Sequence, residues 1–401
     1  MASNIYGNGT TTATVGSSST VNQGNTIVHY YDRAGINAAN RVNVYQQFAD
    51  RKSMPQKYGK TFKISRFEHM YDRTFADGSF AAKGYLTARS MAELEANMVA
   101  SALAEGAGAV NKKTLTKVTY STDFARYGEM LDYTDEVEVW SEDGLQVRYR
   151  EELGELANMR MEDLVQHDLL STSTVLYAGA AGSLATVGTG AIADGSLDAD
   201  HTVSYDLIRK SVRKLTRNRA KKNTEIVAGS TKIGTVPVAK AYYAIIGADV
   251  KSDLETLTRG SSYEKEFVFI PAHKYSGAST LVEGEVGQMH EVRFVEAESA
   301  VVYRQAGVAV PTSYVGNLQY TGTIGSGAKF DVFPILFPTQ GAFATVGLKG
   351  LEKIKFLSKS PEQLDSTNTY GTTGFFSYNF FYAGILLREE CVLKALVCAR
   401  N

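Results

Sequence analysis

Apolar residues recur every four positions through Leu145, Tyr149, Leu153, Ala157, Met161, Val165 and Leu169. This spacing predicts one long helix over 141–178, with Ser141 as its N-cap and acidic residues in its first turn. Four residues advance about 40° beyond a full turn, so the stripe winds round the cylinder and successive turns must meet different elements. Unbroken, such a helix would run roughly 50 Å at 1.5 Å per residue. A second amphipathic helix is predicted from Ser204 through "SYDLIRKSVRKLTRNRAKK", with Ile208, Val212 and Leu215 facing inward. A third is marked by Ser90 and Glu93 as a capping box, by Met91, Leu94, Met98 and Leu103 at helical spacing, and by Gly106 as a stop.

Elsewhere the period is two. Strands are predicted at "GKTFKISRF" (59–67), over 114–140, at "AYYAIIGADV" (241–250), and through most of the chain from Glu266 onward, including 299–310 and "KFDVFPILFP" (329–338). The run Phe375 to Cys398 is long enough for two strands or one very long one. In "EGEVGQMHEVRFVEAES", Glu283 to Ser299, the alternation from Glu291 predicts a solvated strand-turn-strand with Val292 and Phe294 inward and the turn near Gly284 and Gly287. The balance of elements gives an α+β fold.

Composition sharpens this picture. The 401 residues suffice for two or three domains, and 44% hydrophobic content supplies real cores. Lys and Arg total 42 against 43 Asp and Glu, so no global field attracts nucleic acid or an anionic membrane. With no basic and apolar leader at its start and no bilayer-length apolar run, the sequence reads as a soluble chain made in the cytoplasm. The first 27 residues are mostly Gly, Ser, Thr and Asn, which cannot offset the entropy of ordering alone, so the segment is either disordered or an arm that orders against a partner. Cys391 and Cys398 share an apolar run that reads as one strand, which would separate them by roughly 23 Å and preclude a disulfide.

Catalytic motifs fail on spacing. His290-Glu291 begins a zinc-protease pattern, but Phe294 occupies the place of the second His. "YGKT" at 58–61 lacks the glycine of a phosphate loop, with Met54 in its place. "DADHT" at 198–202 has Val203 and Arg209 where a calcium loop requires Gly and Glu, and reads as a polar loop before a helix. No Gly-x-Ser-x-Gly occurs and the six histidines are scattered. No catalytic residue, metal site or cofactor is predicted. The conspicuous charge cluster is Arg209, Lys210, Arg213, Lys214, Arg217, Arg219, Lys221 and Lys222, a basic helical face for nucleic acid, for an acidic surface on a neighbouring subunit, or simply for solvent. Without interleaved aromatics, contact with another subunit is the better reading.

"EGEVGQMHEVRFVEAES", "YGEMLDYTDEVEVWSED" and "KFDVFPILFPTQGAFATVGLKG" resemble segments of the major capsid proteins of tailed bacteriophages, in particular podophages that carry a virion RNA polymerase. The resemblance is nearly full-length and involves no catalytic motif. It implies the fold shared by tailed phages and the herpesvirus capsid floor: residues 1–57 as N-terminal arm, 58–140 as extended loop with an inserted helix, and 141–178 as the spine helix of a peripheral domain. Residues 179–262 would form part of an axial domain, and 263–401 a C-terminal sheet, mainly peripheral, with an axial insertion near 300–330. It further implies a virion protein forming hexamers and pentamers of an icosahedral shell round double-stranded DNA. Scaffolding, portal and decoration proteins would be its partners, with weak non-specific contact to the packaged DNA and none to a membrane. The alternative function is a polynucleotide-binding protein using the basic helix 204–222.

Overall fold

In a computed structural model, residues 44–67, 91–103, 105, 115, 117–140, 145–191, 195–223, 240–257, 270–271, 284–351, 353–363 and 368–401 are described. The proposed arm up to residue 43, Ser90 and Gly106 of the inserted helix, and Ser141 as helix cap lie outside them.

From residue 44 a short 3-10 turn leads into β1 (Asp50–Met54). A hairpin follows, β2 (Thr61–Phe67) against β3 (Lys117–Asp123), with α1 (Met91–Ser101) inserted between its strands in sequence. Next come β4 (Ala125–Thr134), α2 (Asp135–Trp140) and the long helix α3 (Leu145–Leu170). The chain continues through β5 (Val175–Tyr177), α4 (Asp198–His201), α5 (Tyr205–Arg217), β6 (Tyr242–Ile246) and α6 (Ala248–Glu255). Strands β7 (Ile270–Pro271), β8 (Glu285–Met289), β9 (Val292–Glu296), β10 (Tyr320–Thr323) and β11 (Ser326–Phe330) precede the final five. These are β12 (Phe333–Phe337), β13 (Phe343–Leu348), β14 (Lys355–Lys359), β15 (Thr373–Leu386) and β16 (Leu393–Val397).

Two main sheets result. One runs β1-β13-β15-β14, with β4 also paired along β15; the other runs β5-β16-β12-β6-β9-β8-β7. The described residues of 263–401 are thus shared between both sheets, since β12 and β16 lie with β6 while β13 to β15 lie with β4. The 14-residue β15 is the longest strand because its alternating Phe376, Tyr378, Phe380 and Tyr382 bury one face.

That face receives α3. Leu153, Ala157, Val165 and Leu169 are buried and Tyr149 and Met161 half-buried, so the four-residue stripe is the packed one. At the N-terminal turns Tyr149 and Tyr133 enclose Phe376, with ring centroids 6.4 and 5.3 Å away, and the Arg150 guanidinium lies 5.1 Å over the same ring. At the far end Tyr382 donates to Asp168 Oδ2 at 2.7 Å, and a Cβ on Gly384 would collide with that carboxylate. Between them Glu162 accepts from the backbone N–H of Tyr45 (2.6 Å) and Gln46 (3.3 Å), and Gln166 donates to the Tyr45 hydroxyl at 2.9 Å. Burial raises the Glu162 carboxyl above the usual range despite those donors.

Several expectations are corrected. Among the described residues helix α3 covers 26, about 39 Å long, and ends at Leu170 instead of running on to 178; the acidic first turn expected after Ser141 lies outside them. Beyond Leu170 the Ser171 hydroxyl donates back to the Asp168 carbonyl and the Thr172 hydroxyl donates across to the Val392 carbonyl, and the chain becomes β5. Residues 135–140 and 248–250 are helical where strand was expected, the latter as the start of α6. Residues 299–310 contribute only isolated bridges at Tyr303 and Ala309. Cys391 lies in a 3-10 turn and Cys398 just past β16, so they share no strand; both are free and buried, and burial pushes their thiols up to about 11 and about 12. Within that segment, Glu285–Glu296 is a hairpin, but its turn is His290-Glu291, with His290 at φ 56°. It is not solvated: Val292, Arg293, Phe294 and Val295 are all buried, because β9 is covered on both faces. Glu285 lies 3.7 Å from Arg293, which donates to the Tyr243 hydroxyl at 3.4 Å, so an acid of this stretch serves a buried pair.

Ala157→Pro places a ring in the middle of α3 where the side chain is fully buried. Loss of one backbone hydrogen bond and the steric clash cost about 3 kcal/mol or more. The expected outcome is a collapse in soluble yield and in the thermal transition measured by circular dichroism.

Candidate assembly surfaces

Helix α5 begins at Ser204, whose hydroxyl accepts from Leu207 N at 3.2 Å, with Asp206 in the first turn and Lys214 and Arg217 in the last. Leu207, Ile208, Ser211, Val212 and Leu215 are buried against the seven-stranded sheet. That docking turns Arg209, Lys210, Arg213 and Arg217 outward as one exposed stripe. Arg209 sits 3.7 Å from Asp206.

The structure divides the eight predicted cations. Lys214 is half-buried and donates to the Val175 carbonyl at 3.0 Å, tying α5 to β5; burial lowers its pKa. Lys222 pairs with Glu291 at 2.9 Å and lies 5.6 Å over the Tyr242 ring, joining the end of this segment to the β8-β9 turn. Arg219 and Lys221 are exposed beyond the helix, Arg219 at φ 56°. Six of the eight therefore reach the surface, and two hold the fold.

The 198–202 segment is a short helix, not a polar loop. Asp198 is buried, and its Oδ2 accepts from the Tyr314 hydroxyl at 2.8 Å and Asn317 N at 2.9 Å, anchoring the chain before β10. No group of three metal-binding side chains occurs among the described residues.

Other surfaces escaped residue-by-residue reading. The predicted helix at Met91 exists, yet Met91, Met98, Val99 and nearby Leu103 are exposed. So are Val137, Val139 and Trp140 of α2, the last at 84%. Apolar area left open by the chain's own fold marks a place for a partner. The β2-β3 hairpin buries Phe62, Ile64 and Tyr120 against Phe124, Ala383 and Ile385, and Arg66 pairs with Glu390 at 2.8 Å, so its base is fixed to the body. No helix among the described residues is long and apolar enough to cross a membrane.

No family model matches the chain. It is 27% identical over 395 residues to a protein named major capsid protein from Pseudomonas phage KPP21, covering 94% of this chain and 93% of that one. Among solved structures it is similar to the capsid of Ralstonia phage GP4, at TM-score 0.58 and 12% identity over 96% of this chain and 99% of that one. It is also similar to the capsid of cyanophage P-SCSP1u, at TM-score 0.51 and 10% identity over 92% of each.

Because the exposed stripe of α5 makes few internal bonds, Arg213→Glu with Arg217→Glu should leave the subunit's unfolding within about 0.5 kcal/mol of wild type. Particle formation, followed by sedimentation, should fall. Normal particles that fail only to retain DNA would assign the stripe to nucleic acid. This arrangement of spine helix, long-stranded sheet and second sheet, matched end to end, is the capsid fold of tailed bacteriophages.

Proposed function

We infer that the chain is a structural, non-enzymatic major capsid protein whose copies assemble into the shell of a phage virion. The observation that carries this reading is the end-to-end likeness to a phage major capsid protein, together with a fold common to phage capsids. The folded body fits the role: a rigid α3-β15 layer, a second sheet, and exposed apolar and basic surfaces that a lone subunit leaves uncovered.

Finer features follow as proposals. Hexamers and pentamers would build an icosahedral shell round double-stranded DNA, with the β1-β13-β15-β14 sheet and α3 as the peripheral domain and the seven-stranded sheet as the axial one. Of the expected arm 1–57 and extended loop 58–140, β1 and β4 join the peripheral sheet instead, so the arm would be the residues before β1 and the extended loop the β2-β3 hairpin with its insertion. Scaffolding, portal and decoration proteins would be further partners, and kinship with podophages carrying a virion RNA polymerase rests on the three resembling segments. Near-neutral charge suits a wall that must release its DNA. The polynucleotide-binding alternative gains nothing from the relatives, and two cations it would use are bonded internally.

Purified, concentrated protein freed of nucleic acid should sediment as closed particles. Subunits that stay monomeric while binding DNA with steep salt dependence would favour the alternative.

A further inference from the structure

Charge is segregated along this chain although 42 basic residues nearly balance 43 acidic ones. From Leu207 to Lys222 every charged side chain is basic, and from Tyr127 to Val147 every one is acidic. The acidic run covers most of β4 and all of α2. There Asp132, Glu136, Val137, Val139 and Trp140 are exposed. Glu136, Val139 and Trp140 stand at i, i+3 and i+4 of α2, so they share one helix face. Trp140 is the chain's single tryptophan, and it is 84% open.

Other acids are already engaged within the subunit: Glu129 and Asp163 lie against Arg160, Glu291 against Lys222, and Glu296 against Lys251. Among the described residues Asp132 and Glu136 have no ion-pair partner. A carboxylate beside an open indole fits a cation on a long apolar stem, which covers the ring while its N–H groups reach the acid. Arginine does this best, because its planar guanidinium both stacks and forks. A polyanion would be repelled, and a purely apolar partner would bury Glu136 without a counter-charge. The outward stripe of α5, Arg209, Lys210, Arg213 and Arg217, supplies the matching chemistry.

One copy does not satisfy itself. Helix α2 follows β4 of one sheet, α5 packs on the other, and both faces stay exposed in the subunit. Like faces repel, so two copies cannot pair basic to basic or acidic to acidic. We propose that the α5 stripe of one copy docks on the β4-α2 surface of the next, its guanidinium groups against Asp132, Glu136 and the Trp140 ring. This contact rests on the capsid reading and names the surface that α5 meets. It is heterologous, the head-to-tail kind that closes into rings.

The test uses the full chain with Trp140→p-benzoylphenylalanine. Particles assembled from mixed isotopically heavy and light protein are irradiated and digested, and the adducts are identified by mass. Adducts joining α2 of one chain to α5 of another are expected in particles and not in unassembled subunits. Charge exchange keeps Trp140 and decides the matter if that replacement blocks assembly. Asp132→Arg with Glu136→Arg should lower particle yield about tenfold, as should Arg213→Glu with Arg217→Glu. The chain carrying all four changes should regain about half of the wild-type yield, because the attraction is restored with its sign reversed. Adducts to another region of the neighbour, adducts within one chain, adducts to packaged DNA, or a fourfold variant that assembles no better than either parent would each overturn this contact while leaving the capsid reading intact. An unmodified chain that forms no particles would overturn both.

Discussion

The seating of α3 on β15 is the constraint on which the rest depends. A strand of 14 residues presents a row of aromatic rings, and a helix can cross it only where the backbone allows close approach. Gly384 allows it at one end, where Asp168 and the Tyr382 hydroxyl bond; the Tyr133-Phe376-Tyr149 group fills the other. Burial of such rings contributes about 1.5–3 kcal/mol each, so this layer outweighs the surface ion pairs. Because the apolar stripe winds, the same helix also fixes the turn at 45–48 through Glu162, and its terminal carbonyl at Leu170 accepts from Lys394 at 2.7 Å. Helix α3 thereby connects the turn at 45–48, one sheet and the last strand of the other.

Much of this was legible in the sequence because it is periodic. The four-residue repeat of α3, the amphipathic α5 with its Ser204 cap and the alternation of β2 all announce themselves locally. The misreadings are places where tertiary context wins. In 135–140, Val-Glu-Val alternates like a strand, yet β4 ends where Thr134 meets Thr373 and the chain turns helical. The apolar run 375–398 divides because Arg388 and two glutamates interrupt it at a 3-10 turn, sending its halves to different sheets. The hairpin at 285–296 reads as solvated when its polar residues are placed outward, while Arg293 is neutralised inside by Glu285.

Surface chemistry was less legible. Eight cations could be counted, but which of them the fold consumes depends on the Val175 carbonyl and Glu291, distant in sequence. Exposed Met98, Val139 and Trp140 likewise follow good local patterns whose burial this chain does not provide. A subunit that finishes its interior and leaves such surfaces open is suited to a closed assembly, where each copy covers its neighbour.

The most direct measurement is a cryo-electron microscopy reconstruction of particles formed by this chain alone or with its phage partners. A closed icosahedral shell is expected, in which every copy keeps α3 seated on β15 and turns the Arg213-Arg217 stripe toward another subunit. Particles without closed symmetry, or a shell in which α3 has left β15, would contradict it.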